Sequence, residues 1–202
     1  MCWKTWTGMS ARNDKAGEPR NRSGGGIAFG GGSRSAPRAS DTLSGAMRGL
    51  RRRWTSGIAL ATAVDDHGGL HGITVTSLMV VSNDPPILAL ALTGDGAFQE
   101  YVEVGAPLGV SILEARHDFP AERFAGRAPV PDRRFSGIAH SLAEGVPILD
   151  GALAWCVGRV HSREAVGDHI LVLVEVTAAG LGKDTDDPLL SYEGRYRRLE
   201  AG

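Results

Sequence analysis

The stretch HGITVTSLMVVSNDPP, residues 71–86, decides how the fold of this chain is interpreted. Its Val, Ile and Thr residues are typical of a β-strand, and the Asp-Pro-Pro sequence at its end interrupts any strand. However, Thr74, Thr76 and Ser77 place three hydroxyl groups within four residues of a strand that should enter a core. Either this is an edge strand with a polar face, or the hydroxyls and neighbouring backbone N–H groups bind a polar or anionic ligand.

The rest of the chain predicts more strands than helices. Helical spacing from Leu43 to Trp54 predicts a helix capped by Asp41, and Asp95 is predicted to cap a second one. No regular β-α-β alternation appears, which disfavours a Rossmann sheet and favours a mainly β fold, a β-barrel with a few short helices. The predicted strands are 57–64, 70–81 with a kink around Ser77, 87–92, 107–113, 147–160 with a turn or bulge at Gly151, 169–176, 188–192 and 196–199.

Residues 1–40 differ in composition from the rest of the chain. They contain the sequence SGGGIAFGGGS at 23–33 and scattered arginines, with few apolar residues. Such a sequence cannot bury enough apolar surface to offset the loss of chain entropy. We therefore expect a disordered Gly/Ser/Arg-rich extension at 1–40 and one folded domain at 41–202.

The charge balance and the cysteine content exclude several functions. The 202 residues include 22 Lys and Arg against 23 Asp and Glu, so no basic surface for nucleic acid is expected. No apolar run approaches the roughly 20 residues that cross a bilayer, so no membrane partner is expected. The two cysteines, Cys2 and Cys156, do not make a disulfide framework, which fits a reducing cytoplasm.

Metal and covalent chemistry are not supported by the spacing of reactive residues. His67 and His71 are four residues apart, but they lie in a turn and a strand, where this spacing does not bring two imidazoles together. The chain has no G-x-S-x-G sequence, and Cys156 lies among apolar strand residues. We expect neither a metal site nor a nucleophilic side chain.

Two loop segments allow both a functional and a structural interpretation. The sequence GDHI at 167–170 places Asp168 and His169 before an apolar strand, although Asp168 could bond its own backbone in a turn. The sequence YEGRYRR at 192–198 places two aromatic rings and three guanidinium groups near the carboxyl end, although it could be a solvated charged segment.

Taken in order, these segments resemble the flavin reductase-like family, the flavin-binding split barrels that supply reduced flavin to two-component monooxygenases. The resemblance covers about residues 41–200, and the shared order of the segments carries more weight than any one of them. The segments are AMR (46–48) with RWTSGIALAT (53–62), HGITVTS (71–77), VSNDPP (81–86), LGVSIL (108–113), ERFAG (122–126), GDH (167–169) and PLLSYEGRYRRL (188–199).

This resemblance implies a flavin site along the opening stretch. Thr74, Val75, Thr76 and Ser77 would face the flavin, with their hydroxyls and amides meeting the polar edge of the ring and the ribityl phosphate. The isoalloxazine ring is flat and mostly apolar with a polar pyrimidine edge, so a barrel wall with a few donors suits it.

The resemblance also implies a phosphate site after the strand at 87–92. Backbone N–H groups of Gly94 and Gly96 would bind the phosphate, but Asp95 would repel a dianion and so favours a loosely held, diffusible flavin. Candidates to offset that repulsion are Arg123, Arg195 and Arg197. The remaining implied cofactor-binding residues are Ser111, Asp168, Tyr192 and Arg195.

His169 is the candidate catalytic residue by resemblance, because the matching histidine lies near the flavin and the nicotinamide. It would orient the nicotinamide or stabilise negative charge on the reduced flavin, and a structural turn histidine is the alternative. Hydride passes directly from nicotinamide C4 to flavin N5, so the absence of a catalytic triad is expected.

The resemblance thus implies an NAD(P)H:flavin oxidoreductase, a flavin reductase that uses NADH or NADPH to reduce FMN, FAD or riboflavin. It also implies a homodimer and a flavin-dependent monooxygenase as partner. Two alternatives stay open: a protein of the same fold with permanently bound FMN that acts on another substrate, and a non-enzymatic flavin- or haem-binding module.

Overall fold

Twelve strands and two α-helices make up the part of the chain that the computed structural model describes, residues 42–128, 135–182 and 187–199. The mainly β prediction is confirmed, and the predicted extension at 1–40 lies outside the described residues. Within them, no helix is both long and apolar enough to span a membrane. The helices are α1 (Leu43–Arg53) and α2 (Asp118–Phe124); the strands are β1 (Ser56–Gly57), β2 (Ala59–Val64), β3 (Leu70–Val75), β4 (Met79–Asn83), β5 (Pro86–Thr93), β6 (Pro107–Ile112), β7 (His140–Ala143), β8 (Val146–Leu149), β9 (Ala154–Val166), β10 (His169–Leu181), β11 (Leu190–Tyr192) and β12 (Arg195–Arg197).

Seven of these strands form one antiparallel sheet in the order β3-β2-β6-β9-β10-β5-β4. Besides this, β1, β11 and β12 form a small sheet, and β7 pairs with β8. Strand β3, at one edge of the large sheet, also contacts β5 near the other edge, so the sheet curls back toward itself. The enclosed core contains apolar side chains from β2, β3, β5, β6, β9 and β10.

Strand β2 is buried on both faces, which explains its nearly continuous apolar sequence. Ala59 and Ala61 face the enclosed core, whereas Leu60 and the preceding Ile58 contribute to a second core on the outer face. Phe124 at the end of α2 fills this second core, and it is almost completely buried. The second core therefore attaches α2 to the sheet.

The opening stretch forms two strands instead of one kinked strand. β3 ends at Val75, β4 begins at Met79, and the Ser77 hydroxyl bridges the gap. Ser77 Oγ accepts a hydrogen bond from the Ala91 N–H at 3.0 Å and donates one to the Ala91 carbonyl at 2.8 Å. The predicted stop at Asp-Pro-Pro is confirmed, since β4 ends at Asn83.

The predicted helix starts need two corrections. Thr42 caps α1, with its Oγ1 accepting from the Gly45 N–H at 3.1 Å, and Asp41 lies outside the described residues. Asp95 caps no helix, because the next helix is a five-residue 3₁₀ turn, Ala97–Tyr101, that begins after Gly96 without a side-chain cap.

Strand β10 also runs to Leu181 instead of ending at 176, since it pairs with β9 over its whole length.

His117 provides a pH-dependent contribution to stability. Its Nδ1 accepts from the Glu114 N–H at 3.2 Å, and its Nε2 lies 3.2 Å from the Asp150 carbonyl, so both contacts are satisfied by the neutral Nε2–H tautomer. Burial lowers the pKa of His117 below its ordinary value of 6.5, and this outweighs the opposing effect of the Glu114 carboxylate. In the unfolded chain the imidazole therefore binds a proton at a higher pH than in the folded chain.

We expect the free energy of unfolding to fall as the pH drops below about 6.5, because acid then favours the unfolded state. The contribution of His117 is fully present above this pH and is lost toward the lower folded-state pKa. Urea unfolding at about pH 7.5 and about pH 5.5 measures it. His117→Asn should show a smaller loss on acidification than the wild type, and the exposed His67→Asn should match the wild type. Equal losses in all three proteins would contradict this role.

Candidate functional site

A cleft of about 280 Å³ opens where the carboxyl end of α1, the end of β3, the end of α2 and the β11–β12 hairpin meet. Thr74 and Thr76 of the opening stretch lie in its wall. Arg51, Arg52 and Arg127 also line it, and none of the described lining residues is acidic. The cleft thus combines hydroxyl groups with positive charge.

The end of α1 is fixed in place by the β11–β12 hairpin. The Glu193 N–H donates to the Arg52 carbonyl at 2.7 Å, and Arg52 Nη2 donates to the Glu193 carbonyl at 3.2 Å. Glu193 and Gly194 both have positive φ, 52° and 74°, as a two-residue hairpin turn of this kind requires. This reciprocal pair of bonds sets the distance between two walls of the cleft.

Arg127 forms a rigid wall of the cleft with Glu122 and Tyr196. Its Nε and Nη2 donate to both Glu122 oxygens, and Nη2 also donates to the Tyr196 hydroxyl at 2.8 Å. The Arg127 hydrogen bond lowers the pKa of Glu122, and burial raises the pKa of Tyr196 to about 12, so at neutral pH the carboxyl is ionised and the phenol is not. The charge of Arg127 is therefore balanced within the wall.

The four predicted flavin contacts in the opening stretch have different surroundings. Thr76 is exposed to the cleft, whereas Thr74 Oγ1 donates to the Ala121 carbonyl at 2.7 Å. The Val75 side chain is buried in the enclosed core, so only its backbone could meet a ligand. Ser77 uses its hydroxyl in both bonds to Ala91. Thr76 has the hydroxyl best placed to meet a ligand.

A second group of predicted residues comes together at the β5 and β9–β10 ends. Gly94 N–H donates to the Asp168 carbonyl at 2.9 Å, and the Asp168 carboxylate lies 2.7 Å from His169 Nδ1. This bond to His169 lowers the pKa of Asp168, and the charge of Arg51 acts in the same direction. Gly96 N–H donates to the Thr93 carbonyl at 3.2 Å, so the amides of both glycines already have partners.

Three more predicted residues belong neither to the cleft lining nor to the group at the β5 and β9–β10 ends. Ser111 is fully buried, and its Oγ accepts from the Leu149 N–H at 3.0 Å, which accounts for a serine in this strand without any ligand. Tyr192 and Arg195 pair with each other across the β11–β12 hairpin, and neither lines the cleft. Their roles toward a cofactor stay predictions.

The sequence interpretation missed several residues of the cleft. The arginine run at 51–53 ends a helix, where positive charge is favourable, and this was its only visible feature. Arg127 lies next to a segment outside the described residues and carries no recognisable motif. The missed lining residues are Arg51, Arg52, Trp54, Ser56, Arg127, Ser191 and Tyr196.

His71 has a protein partner. Its Nε2 lies 2.8 Å from Asp65 Oδ2, and its ring stacks on Tyr101 with centroids 4.1 Å apart. The bond to His71 and the Gly69 amide lower the pKa of Asp65 to about 2. Among the described residues, no group of three His, Cys, Asp or Glu side chains could hold a metal ion. Burial raises the pKa of the Cys156 thiol to about 11, so it is not a reactive thiolate.

Comparison with known proteins agrees with this fold. The family model described as "Flavin reductase like domain" matches residues 51–200. An NADH-dependent flavin reductase from Rhodococcus sp. is 31% identical over 150 residues, covering 73% of this chain and 82% of that protein. The NADH-dependent flavin reductase StyB from Pseudomonas fluorescens is 33% identical over 148 residues, covering 71% and 82%.

A solved structure has the same fold. The NADH:FAD oxidoreductase of Streptomyces globisporus C-1027, in complex with NAD and FAD fragments, superposes with a TM-score of 0.72 and 26% identity, covering 82% of this chain and 98% of that chain. The fold and these matches define an oxidoreductase. The chain belongs to the flavin reductase-like family. The predicted family and the predicted kind of enzyme, a flavin reductase, are confirmed, and the predicted cofactors match those in the relatives' names.

Proposed function

We propose that this flavin reductase oxidises NADH or NADPH and reduces FMN, FAD or riboflavin in the cleft, acting in the cytoplasm. The observation that carries the proposal is one cleft in which Thr74 and Thr76 meet Arg51 and Arg52, with no acidic residue in its described lining. Relatives of the same family are named NADH-dependent flavin reductases. A flavin-dependent monooxygenase is the proposed consumer, since one relative is named as the reductase component of 4-hydroxyphenylacetate 3-monooxygenase.

The lining of the cleft fits a flavin ring. Ile58 and Ala125 offer apolar surface, and Ser56, Thr76 and Ser191 offer hydroxyl groups for the polar edge of the ring. When bound, the flavin supplies the hydride acceptor, its N5 atom. The protein then has to bind and orient the two reactants and to exclude water.

His169 is the proposed group that orients the nicotinamide. Asp168 holds the His169 ring through the 2.7 Å contact to Nδ1, which leaves Nε2 free of any bond to the described residues. The His169 side chain is partly exposed, so a reactant can reach it. The Asp168 carboxylate also interacts electrostatically with Arg51, which lines the cleft.

A diffusible flavin is favoured over a permanently bound one. The amides of Gly94 and Gly96 donate to backbone carbonyls, so neither is available for a phosphate group in this arrangement. Asp95 adds a negative charge between them. Without these amides the phosphate of FMN would gain little at this turn, which supports exchange of flavin with solution.

The test of the function is the rate of NADH and NADPH oxidation by the purified protein with and without added FMN, FAD or riboflavin. We expect oxidation that saturates with free flavin. Thr76→Val should raise the Kd for flavin about 2- to 10-fold, because one hydrogen bond is lost. Thr177→Val is the control, since Thr177 bonds Glu144 and lies outside the cleft. No oxidation above the flavin-only control would contradict the function.

We also propose that the protein is a homodimer that pairs through β4. This edge strand exposes Met79, Val80 and Val81, and natural proteins rarely leave such an edge uncovered. An apolar groove of about 240 Å³ that includes Val80 and Trp155 lies beside it. Because the exposed β4 side chains and this groove lie side by side, two copies related by a twofold axis can each place β4 side chains against the groove of the other.

Val80→Lys is expected to convert the dimer into monomers, because the lysine would be buried without a partner at the interface. Light scattering after gel filtration measures the mass. The control is Val104→Lys, since Val104 is equally exposed but lies outside the groove. A wild-type protein with the mass of one chain would exclude the homodimer, and a Val80→Lys variant that stays dimeric would place the interface elsewhere.

A further inference from the structure

We propose that Arg51, Arg52 and Trp54 form a subsite for an adenosine diphosphate group at the mouth of the cleft. FAD, NADH and NADPH contain this group, whereas FMN and riboflavin lack it. The inference rests on the proposed function, because it assigns the rest of the cleft to the flavin ring. It adds a second binding position and a preference among the substrates.

Neither arginine forms an ion pair with a described residue, and the Asp168 carboxylate acts on Arg51 only through its electrostatic field. Arg51 makes no hydrogen bond or ion pair with any described residue, and Arg52 bonds only the neutral Glu193 carbonyl. Arg127, in contrast, is neutralised by Glu122. Each phosphate of a diphosphate diester carries an ionised oxygen, so this pair of guanidinium groups matches it in charge and in donor geometry.

Trp54 provides a flat surface beside these charges. It follows α1 directly as its C-cap, and 74% of the residue is exposed. In the described part of the chain, no aromatic ring packs against its indole. Indole faces stack readily on nucleobases. The isoalloxazine ring is assigned to the hydroxyl-lined part of the cleft. The other planar group of a dinucleotide is adenine, so we place adenine against the indole.

The phosphates have no better partner at the Gly94–Gly96 turn. Both glycine amides donate to backbone carbonyls, and the Asp95 carboxylate repels anions there. Asp168 is the acidic group that acts on Arg51, and its exposed carboxylate already contacts His169. The arginines at the end of α1 are therefore the favoured position for a diphosphate.

The test is titration of the full-length protein with ADP, followed by calorimetry and by the quenching of tryptophan fluorescence. We expect Arg51→Ala and Arg52→Ala each to raise the Kd for ADP about tenfold. Trp54→Leu should weaken ADP binding and remove most of the quenching. Arg53→Ala is the matched control, because it removes the same charge from the same turn but lies outside the cleft. It should change the Kd less than about twofold.

Competition identifies the source of the group. Displacement of ADP by FAD assigns the subsite to the flavin dinucleotide, and displacement by NADH assigns it to the electron donor; either result supports the proposal. Absence of ADP binding, or an equal loss in Arg53→Ala and Arg51→Ala, would overturn it. If the wild-type protein then still reduces FMN with NADH, the proposed function stands and only the subsite is wrong.

Discussion

Replacing Phe124 with alanine is expected to lower the free energy of unfolding by about 3–5 kcal/mol, because it removes the more deeply buried of the two phenylalanine rings in the second core. The Phe124 ring is 1% exposed and packs 4.9 Å from the Phe135 ring, centroid to centroid. A Cβ atom at Gly72 would lie 2.9 Å from the same ring, so the ring fills the space above this glycine. Urea unfolding followed by circular dichroism measures the loss.

Phe119→Ala is the control for this prediction. Phe119 lies on the same helix, α2, but is 51% exposed, so its loss should cost no more than about 0.5 kcal/mol. Because α2 carries the chain toward Ala125 and Arg127, the Phe124 variant should also bind flavin more weakly. Similar stability losses in the two variants would mean that the Phe124 ring does not pack the second core.

His169→Ala is expected to lower kcat for flavin reduction about 10- to 100-fold while leaving the Kd for flavin nearly unchanged. The reason is that the Asp168 carboxylate fixes the imidazole at 2.7 Å, and the free Nε2 would orient the nicotinamide. Stopped-flow oxidation of NADH under single-turnover conditions separates hydride transfer from binding. Asp168→Asn should produce a smaller loss, because it keeps the imidazole but weakens its orientation.

His161→Ala is the matched control for His169. His161 lies on β9 with an exposed side chain, and its Nδ1 lies 3.8 Å from a carboxylate oxygen of Glu175. Its loss should leave kcat unchanged. His169→Gln should recover part of the activity if a hydrogen-bond donor is what the reaction needs. An unchanged kcat in His169→Ala would return His169 to the alternative of a structural turn histidine.

Local sequence patterns located most strands, although β7 was missed and the predicted strands 70–81 and 147–160 are each divided in two. The apolar run that includes Leu60 reflects a strand covered on both faces, and the Asp-Pro-Pro sequence ends β4 whatever packs around it. Helix caps were harder, because neighbouring residues compete on nearly equal terms. Asp41 and Thr42 both have capping side chains, and only the backbone path of the folded chain shows that Thr42 caps α1.

The candidate site was only partly predictable, because tertiary contacts give different surroundings to residues that look alike in sequence. Thr76 and Ser77 are adjacent hydroxyls, yet Thr76 faces the cleft and Ser77 bonds a strand 14 residues away. Arg51 and Arg127 reach one cleft only because α1 and α2 end on the same side of the domain. No local pattern contains that information, whereas the order of weak segments did identify the family.

Helix α1 buries none of its residues, and its described hydrogen bonds to the rest of the domain are one backbone bond and one side-chain bond between Arg52 and Glu193, at its last turn. Local opening should therefore cost least at its amino-terminal turn, and amide hydrogen exchange should slow progressively toward Arg52. An anion bound to the arginines at the anchored end would extend this protection along the helix. Slower amide exchange along α1, away from the cleft itself, would then indicate that the cleft is occupied.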